Sequence, residues 1–163
     1  DPGIFSIGDT ICTPGKPFRF GGIPTFAPEH FSRVSPRDSM KRKQFIKGTE
    51  QIAQEGAIQI FKLPNSGMEE VIVGVVGTLQ FDVFQYRMKS EYGVDLRMEG
   101  LPYEHLRFIA KSPVEDLKDL NLSSDVELLE DYRGHSLLVF SSLWSIDYTI
   151  KRNPGLELSE TLN

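Results

Sequence analysis

A chain of 163 residues with 39% hydrophobic side chains is long enough to bury a core and too apolar to be intrinsically disordered. Its formal net charge of −5 argues against RNA binding over the whole surface, so any such contact would need a local cluster of cations. The single cysteine, Cys12, excludes an internal disulfide framework and favours a reducing compartment. No apolar run is long enough to span a bilayer, and the N-terminus lacks a signal-peptide pattern. We therefore expect a cytoplasmic protein with no membrane partner.

The first 24 residues are short β-prone segments separated by turn residues. Pro14-Gly15 and Gly21-Gly22 punctuate them, as is typical of hairpins in a small barrel. The stretch IPTFAP, residues 23–28, has two prolines in six residues and predicts a stiff connector. We interpret residues 1–24 as the remnant of a β-barrel domain, and expect the chain, which does not start with Met, to be part of something larger.

Residues 25–100 alternate strand and helix patterns. Asp38 is a plausible N-cap for a helix that stops at Gly56. One arc of this helix is apolar and is the expected core face: Phe45, Ile46, Thr49, Ile52 and Ala53. The predicted order is βαββαβ, with strands near 30–34, 57–62, 71–76 and 94–100 and a second helix near 78–92.

Residues 101–163 repeat that order in weaker form. Strands are predicted at 106–110, 126–130, 136–140 and 156–158, and Ser112-Pro113 has the pattern that opens a short helix. Residues 143–152 fit either a strand or a helix, and the stop signal Asn153-Pro154-Gly155 favours the helix. The predicted fold class is α+β, with tandem ferredoxin-like βαββαβ units at 25–100 and 101–163, the second packed on the first.

The second helix has two apolar stripes on roughly opposite sides. One contains Leu79, Val83 and Tyr86; the other contains Phe81, Phe84, Met88 and Tyr92. Two stripes indicate cover on two sides, so we expect one stripe to pack on its own sheet and the other to dock a neighbouring unit. We assign the inter-unit packing to the Phe81 stripe. The alternative is that all seven side chains are ordinary core of one compact domain.

Residues that could carry catalysis are scarce. His30, His105 and His135 have no ligand partner at metal-binding spacing, and the run TICTPGKP fails as a phosphate loop at Thr10 and Pro17. No nucleophile or dinucleotide motif is present. We predict no catalytic, cofactor-binding or metal residue in this chain.

Cations are concentrated around the start of the first predicted helix. At this end of a helix the macrodipole opposes positive charge, so an anionic partner such as RNA phosphate would explain the placement. The alternative is a solvated helix face. The candidate contact residues are Arg33, Arg37, Lys41, Arg42, Lys43 and Lys47.

Several long motifs occur in one order: IGDT at 7–10, GIPTFAPEHF at 22–31, KGTEQIAQEGAIQIF at 47–61, VGTLQFDV at 76–83 and SEYGV at 90–94. Together they resemble the C-terminal half of bacterial peptide chain release factor three, a family of translational GTPases. The resemblance is strong to about Gly100 and looser beyond it.

The resemblance implies an upstream GTPase domain, then a β-barrel, then this α/β C-terminal domain. It implies that GTP or GDP and magnesium bind in the missing domain, and that only the full-length protein is a GTPase. The implied partners are the ribosome (RNA and small-subunit protein), indirectly the stop-codon-reading release factors that the family helps to recycle, and the chain's own GTPase and barrel domains.

Two other readings stay open. One is the C-terminal domain of another translational GTPase, such as an elongation factor G relative, although LQFD at 79–82 favours the release factor. The other is a tandem ferredoxin-like domain that senses a small molecule, with Asn65, Gly67 and Asp131 to Gly134 at its binding edge.

Overall fold

The computed structural model describes residues 27–64, 67 and 69–161, so the predicted barrel remnant at 1–24 lies outside the described residues. Within the described part, eight strands form one antiparallel sheet and three α-helices accompany it. The elements are β1 His30–Pro36, α1 Arg42–Gln54, β2 Gln59–Lys62, β3 Val71–Val75, α2 Leu79–Tyr92, β4 Leu96–Leu101, β5 His105–Lys111, β6 Val126–Asp131, β7 Ser136–Phe140, α3 Leu143–Arg152 and β8 Glu157–Ser159.

The strand order is β4-β1-β3-β2-β6-β7-β5-β8. Its first four strands come from residues 30–101 and its last four from residues 105–159, and the second half repeats the order of the first in reverse. The halves meet where β2 pairs with β6, with Phe61 opposite Asp131. The predicted α+β class is confirmed, and the order is consistent with tandem ferredoxin-like units. The assignment of residues 25–100 and 101–163 to separate units stays a prediction.

The sheet must curl, because the connection between its halves is short. In a flat sheet six inter-strand spacings, about 29 Å, would separate β4 from β5. The chain from Leu101 to His105 can reach only about 14 Å. The concave face therefore encloses a core shared by both halves, formed by Phe31, Phe61, Ile72, Tyr103, Leu106, Leu129, Leu137 and Val139.

Tyr103 lies in that short connection and fastens it to both halves. Its ring meets Phe31 edge-on, with centroids 6.4 Å apart, and its hydroxyl donates to Glu127 Oε1 at 2.9 Å. Burial, followed by the bond to Glu127, raises the pKa of Tyr103 to about 12. The phenol is therefore neutral at physiological pH and remains a hydrogen-bond donor.

The three α-helices cover the convex face, because alternate residues of a strand point to opposite sides. In β3, Val71, Val73 and Val75 face α1 and α2, whereas Ile72 faces the shared core. The same alternation in β7 turns Leu138 and Phe140 toward α3. Register across the strands places both helix-side cores on one face of the sheet.

The predicted limits of the first helix are confirmed with one refinement. Asp38 accepts a hydrogen bond from Met40 N at 2.9 Å and caps a 3₁₀ turn, Ser39–Lys41, which leads into α1. Gly56, at φ 86°, follows the helix in a left-handed conformation that glycine adopts without strain. The expected core arc is also confirmed: Phe45, Thr49 and Ile52 are buried, and Ile46 and Ala53 pack beside them.

The helix predicted to open at Ser112-Pro113 is wrong. Ser112 Oγ donates to the carbonyl of Val114 and accepts from its backbone N, and Asp116 then caps a 3₁₀ turn, Leu117–Asp119. These local side-chain bonds compete with a continuous helix and stop it from propagating. The helix predicted at 143–152 is confirmed, with Ser142 as its N-cap.

Candidate functional site

The structure distributes the six candidate cations over different surfaces. Because Val34 of β1 faces the helix-side core, Arg33 lies on the other face of the sheet, where Glu99 is 3.6 Å and Glu70 3.9 Å away. Arg37 Nε donates to the carbonyl of Leu96 at 3.2 Å. These two arginines have partners within the fold, which accounts for their presence without an external anion.

Arg42, at the start of α1, is paired as well. Its guanidinium lies 2.7 Å from Glu69 Oε1. The first turn of α1 contains no acidic residue, so this carboxylate from outside the helix offsets an unfavourable cation at the positive end of the dipole.

Lys43 and Lys47 are exposed on the side of α1 that faces away from the core, one turn apart. Neither makes an ion pair with a residue in the described part of the chain, and neither does Lys41. Lys43 and Lys47 border a shallow groove along α1 that is also lined by Ile46, Glu50, Gln51 and Gln54. We call Lys43, Lys47 and this groove the α1 basic face; Glu50 is its one acidic member.

The structure corrects the assignment of the stripes on α2. Phe84 and Met88 are almost completely buried in the core between the helices and the first half of the sheet, with Phe81 and Tyr92 packed against it. Every member of that cluster comes from residues 34–98, so this stripe packs within its own half. The other stripe is open instead: Leu79 and Tyr86 are each 71% exposed. The sheet and α1 together leave room for only one of two similar stripes.

The polar strip between the stripes of α2 faces the end of α1, which the sequence did not reveal. Arg87 pairs with Glu55 at 2.6 Å as well as with Glu91, one turn further along its own helix, at 2.9 Å. Gln80 Oε1 accepts from the backbone N of Val76 and Gly77, and its Nε2 donates to Ala57 O at 3.2 Å. Gln80 therefore fixes the turn before α2 against the segment after α1, which gives a physical role to the glutamine of the LQFD motif at 79–82.

The carboxylate of Asp125, which was not predicted from the sequence, is surrounded by serine hydroxyls and joins α3 to the start of β6. The hydroxyls of Ser123, Ser145 and Ser141 donate to Asp125. These bonds lower the pKa of Asp125 to about 2, with the Ser123 bond as the largest cause. The available signal was a pair of serine dipeptides, at 123–124 and 141–142, that flank the strand pair β6–β7.

The residues considered for ligand binding are occupied by the fold or lie outside the described part. Asp131 accepts from the backbone N of Arg133 and His135 and contacts His135 Nδ1 at 2.9 Å, so its carboxylate closes the β6–β7 turn. Asn65, like Cys12, is outside the described residues. Across the described ranges no three His, Cys, Asp or Glu side chains are grouped as metal ligands would be. The absence of a metal or cofactor stays a prediction.

None of the helices in the part of the chain that the structure describes has the length and apolar character needed to cross a membrane.

Comparison with known proteins gives a consistent result. The family model for the class II release factor RF3, C-terminal domain, matches residues 20–150. A peptide chain release factor 3 from Symbiobacterium thermophilum is 46% identical over 156 residues, which cover 96% of this chain and 29% of that protein. The corresponding protein of Gloeobacter violaceus is 40% identical, over 98% of this chain and 30% of its own length. One from Listeria monocytogenes is 39% identical over 99% of this chain.

The chain spans about 30% of the length of these curated relatives. The matching family model is specific to one domain and covers most of the chain, including seven of the eight strands that the structure describes. The chain therefore belongs to the class II release factor 3 family and corresponds to its C-terminal domain.

Proposed function

We propose that this chain is the ribosome-contacting C-terminal domain of a cytoplasmic translation-termination GTPase that promotes recycling of stop-codon-reading release factors. Membership of the release factor 3 family supports the general role. In this proposal the guanine nucleotide, its magnesium ion and the hydrolysis belong to a GTPase domain outside these residues, which a barrel domain connects to this one. This chain alone supplies a binding surface and no catalysis.

The observation that carries the ribosomal contact is the α1 basic face. In a chain of net charge −5, Lys43 and Lys47 are exposed side by side and have no ion-pair partner among the described residues. Arg33, Arg37 and Arg42, by contrast, each have a partner within the fold. Unpaired lysines on a rigid helix suit phosphate oxygens, to which Lys binds as a point charge.

The rigidity of this domain supports the same role. Two ferredoxin-like units, residues 25–100 and 101–163, would share one continuous sheet and one core, so that a force on α1 reaches the whole domain. The Arg87 and Gln80 contacts hold α2 against the end of α1. A rigid domain can transmit a rearrangement of the upstream domains to the ribosome, because packed elements move together.

The test reverses the charge of both lysines. Lys43→Glu with Lys47→Glu in the full-length factor should weaken ribosome binding and reduce the magnitude of the log-affinity versus log-salt slope by about two units, one per phosphate contact. Thermal stability should hardly change, because both side chains are exposed. Binding is measured by co-sedimentation with ribosomes at several salt concentrations.

The matched control makes the same charge change elsewhere. Lys111→Glu with Lys118→Glu replaces two exposed lysines, one at the end of β5 and one in the 3₁₀ turn that follows it, and should leave the salt slope unchanged. Equal weakening by both double variants would show a general effect of net charge. Unchanged affinity of the Lys43/Lys47 variant at low salt, where screening is weakest, would reject the contact.

A further inference from the structure

The outer face of α3 contains an aromatic ladder that neither the fold nor the proposed lysine contact uses. Trp144 and Tyr148 are stacked, with ring centroids 4.8 Å apart and planes inclined by 14°. The guanidinium of Arg152 lies over the Tyr148 ring at 5.2 Å from its centroid. These residues are spaced i, i+4 and i+8, so they follow one line along the helix. We call Trp144, Tyr148 and Arg152 the α3 ladder.

The ladder is held in place from the loop before β6. Arg152 Nη2 donates to Asn121 Oδ1 at 2.7 Å, and Arg152 Nη1 donates to the Tyr148 hydroxyl at 3.2 Å. Asn121 is itself fixed, because its backbone N donates to the buried Asn153 side chain at 2.7 Å and its carbonyl accepts from that side chain. The geometry of the ladder is therefore set before any partner arrives, which lowers the entropy cost of binding.

We propose that the α3 ladder is a stacking platform for an unpaired base of RNA, with the indole of Trp144 as the ring that the base covers. Tyr148 covers one face of the indole, and yet the Trp144 side chain remains 68% exposed. A base on the opposite face extends the stack by one ring. Aromatic side chains bind unpaired bases in this way with little dependence on sequence, because every base has a π face.

The charges around the ladder favour RNA over an apolar protein surface. At about 100° per residue, Lys151 and Arg152 lie on the same side of the helix as the rings, two turns after Trp144, and Asp147 is the one acidic residue of α3. The exposed apolar residues Leu143 and Ile150 lie roughly 100° or more away around the axis. The rings thus share one side of α3 with two cations, which can meet the phosphates of a strand that runs along the helix from the stacked base.

The test uses the fact that Trp144 is the only tryptophan of the chain. Titration of the purified chain with a short oligoadenylate should quench the Trp144 fluorescence, whereas a fully paired RNA duplex of the same length should not. Trp144→Ala should bind a dye-labelled oligoadenylate roughly 5- to 150-fold more weakly, as expected for the loss of one stacked base. The affinity of Trp144→Phe, which keeps an aromatic ring, should lie between the affinities of the unmodified chain and of Trp144→Ala.

Two controls separate stacking from other effects. Tyr86→Ala removes an equally exposed aromatic ring on α2 and should bind as the unmodified chain does. Asn121→Ala releases Arg152 and should weaken binding while leaving all three ladder residues present. If quenching is absent, or if Trp144→Ala and Tyr86→Ala bind the oligoadenylate equally well, the stacking platform is rejected and an apolar protein partner becomes the better occupant.

The proposal for the α3 ladder and the proposal for the α1 basic face can be rejected independently. Lys43→Glu with Lys47→Glu should change the salt slope of ribosome binding and leave the quenching of Trp144 by oligoadenylate intact. Trp144→Ala should abolish the contribution of stacking and leave the salt slope of ribosome binding within about one unit of the original.

Discussion

Arg87 of α2 donates two hydrogen bonds to Glu55, the C-cap residue just after α1, at 2.6 and 3.2 Å. The same guanidinium donates two more to Glu91 on its own helix, at 2.9 and 3.0 Å. Bonds to Glu91 and Glu55 raise the pKa of Arg87 above its ordinary value. The bond to Arg87 in turn lowers the pKa of Glu91. One side chain therefore joins the two helices that cover the first half of the sheet.

Arg87→Ala should destabilise the chain by about 1 kcal/mol, because it removes two bidentate pairs that are each partly exposed. Urea unfolding measures the loss. In a double-mutant cycle with Glu55→Ala, the coupling between the two residues should be about 0.5 kcal/mol. If Arg87→Ala costs the same with and without Glu55, the contact between the helices does not contribute to stability.

Phe84→Ala should cost about 3–5 kcal/mol, since it leaves a cavity in the core beneath α2. Phe84 is 1% exposed, and the surrounding side chains belong to the helix-side core. Tyr86→Ala, on the open stripe of the same helix, should cost less than about 0.5 kcal/mol. Equal losses for the two variants in urea unfolding would mean that the Tyr86 stripe is covered as well.

Gly48→Ala should destabilise the chain although alanine is the better helix former. A Cβ at this position would lie 2.7 Å from Tyr92 Cδ2 and 2.8 Å from Met88 Sδ, so these side chains or the two helices would have to shift. Overpacking of this kind costs about 1–3 kcal/mol, against a gain of about 1 kcal/mol in helix propensity. In a Met88→Ala background, Gly48→Ala should cost less than it does in the unmodified chain. A stabilised Gly48→Ala single variant would contradict the close approach.

Asp125→Asn should remove a pH-dependent part of the stability. The folded-state pKa of Asp125 is about 2, below its ordinary value of 3.8, so the serine bonds stabilise the fold fully above about pH 4 and lose this effect as the pH falls toward about 2. The difference between the unmodified chain and Asp125→Asn should be about 1 kcal/mol near neutral pH, allowing for solvent screening, and should shrink over that range.

Ser123→Ala supplies the control for the pH dependence. It removes the donor that lowers the pKa of Asp125 most, so the loss of stability on acidification should be smaller and should end at a higher pH. Urea unfolding at a series of pH values measures both effects. A difference between Asp125→Asn and the unmodified chain that is independent of pH would show that the charge of Asp125 does not stabilise the fold.

The chain alone should bind neither GDP nor GTP. The nearest match to a phosphate loop, at residues 10–17, lacks the required Gly at Thr10 and the required Ser or Thr at Pro17. Calorimetric titration of the purified chain with GDP should show no heat of binding. Micromolar binding would place a nucleotide site in this domain and reject its separation from the GTPase domain.

The sequence determined the local elements, because each of them depends on neighbouring residues. The apolar arc of α1, the cap at Asp38 and the glycine after each of the first two helices are set by helical periodicity and backbone preference. The long motifs were also sufficient to identify the family. The helix expected after Ser112 failed, because local polar bonds and a helix pattern competed within one short segment.

Only the tertiary structure decided which stripe of α2 is buried. The two stripes are similarly apolar, and their fate depends on where the sheet and Gly48 of α1 meet the helix. It likewise decided that Arg33 and Lys47 lie on opposite faces of the sheet, and that Arg87 contacts Glu55, 32 residues earlier. Contacts between residues far apart in the chain follow from the curvature and register of the sheet. The periodicity within a single segment encodes neither the curvature nor the register.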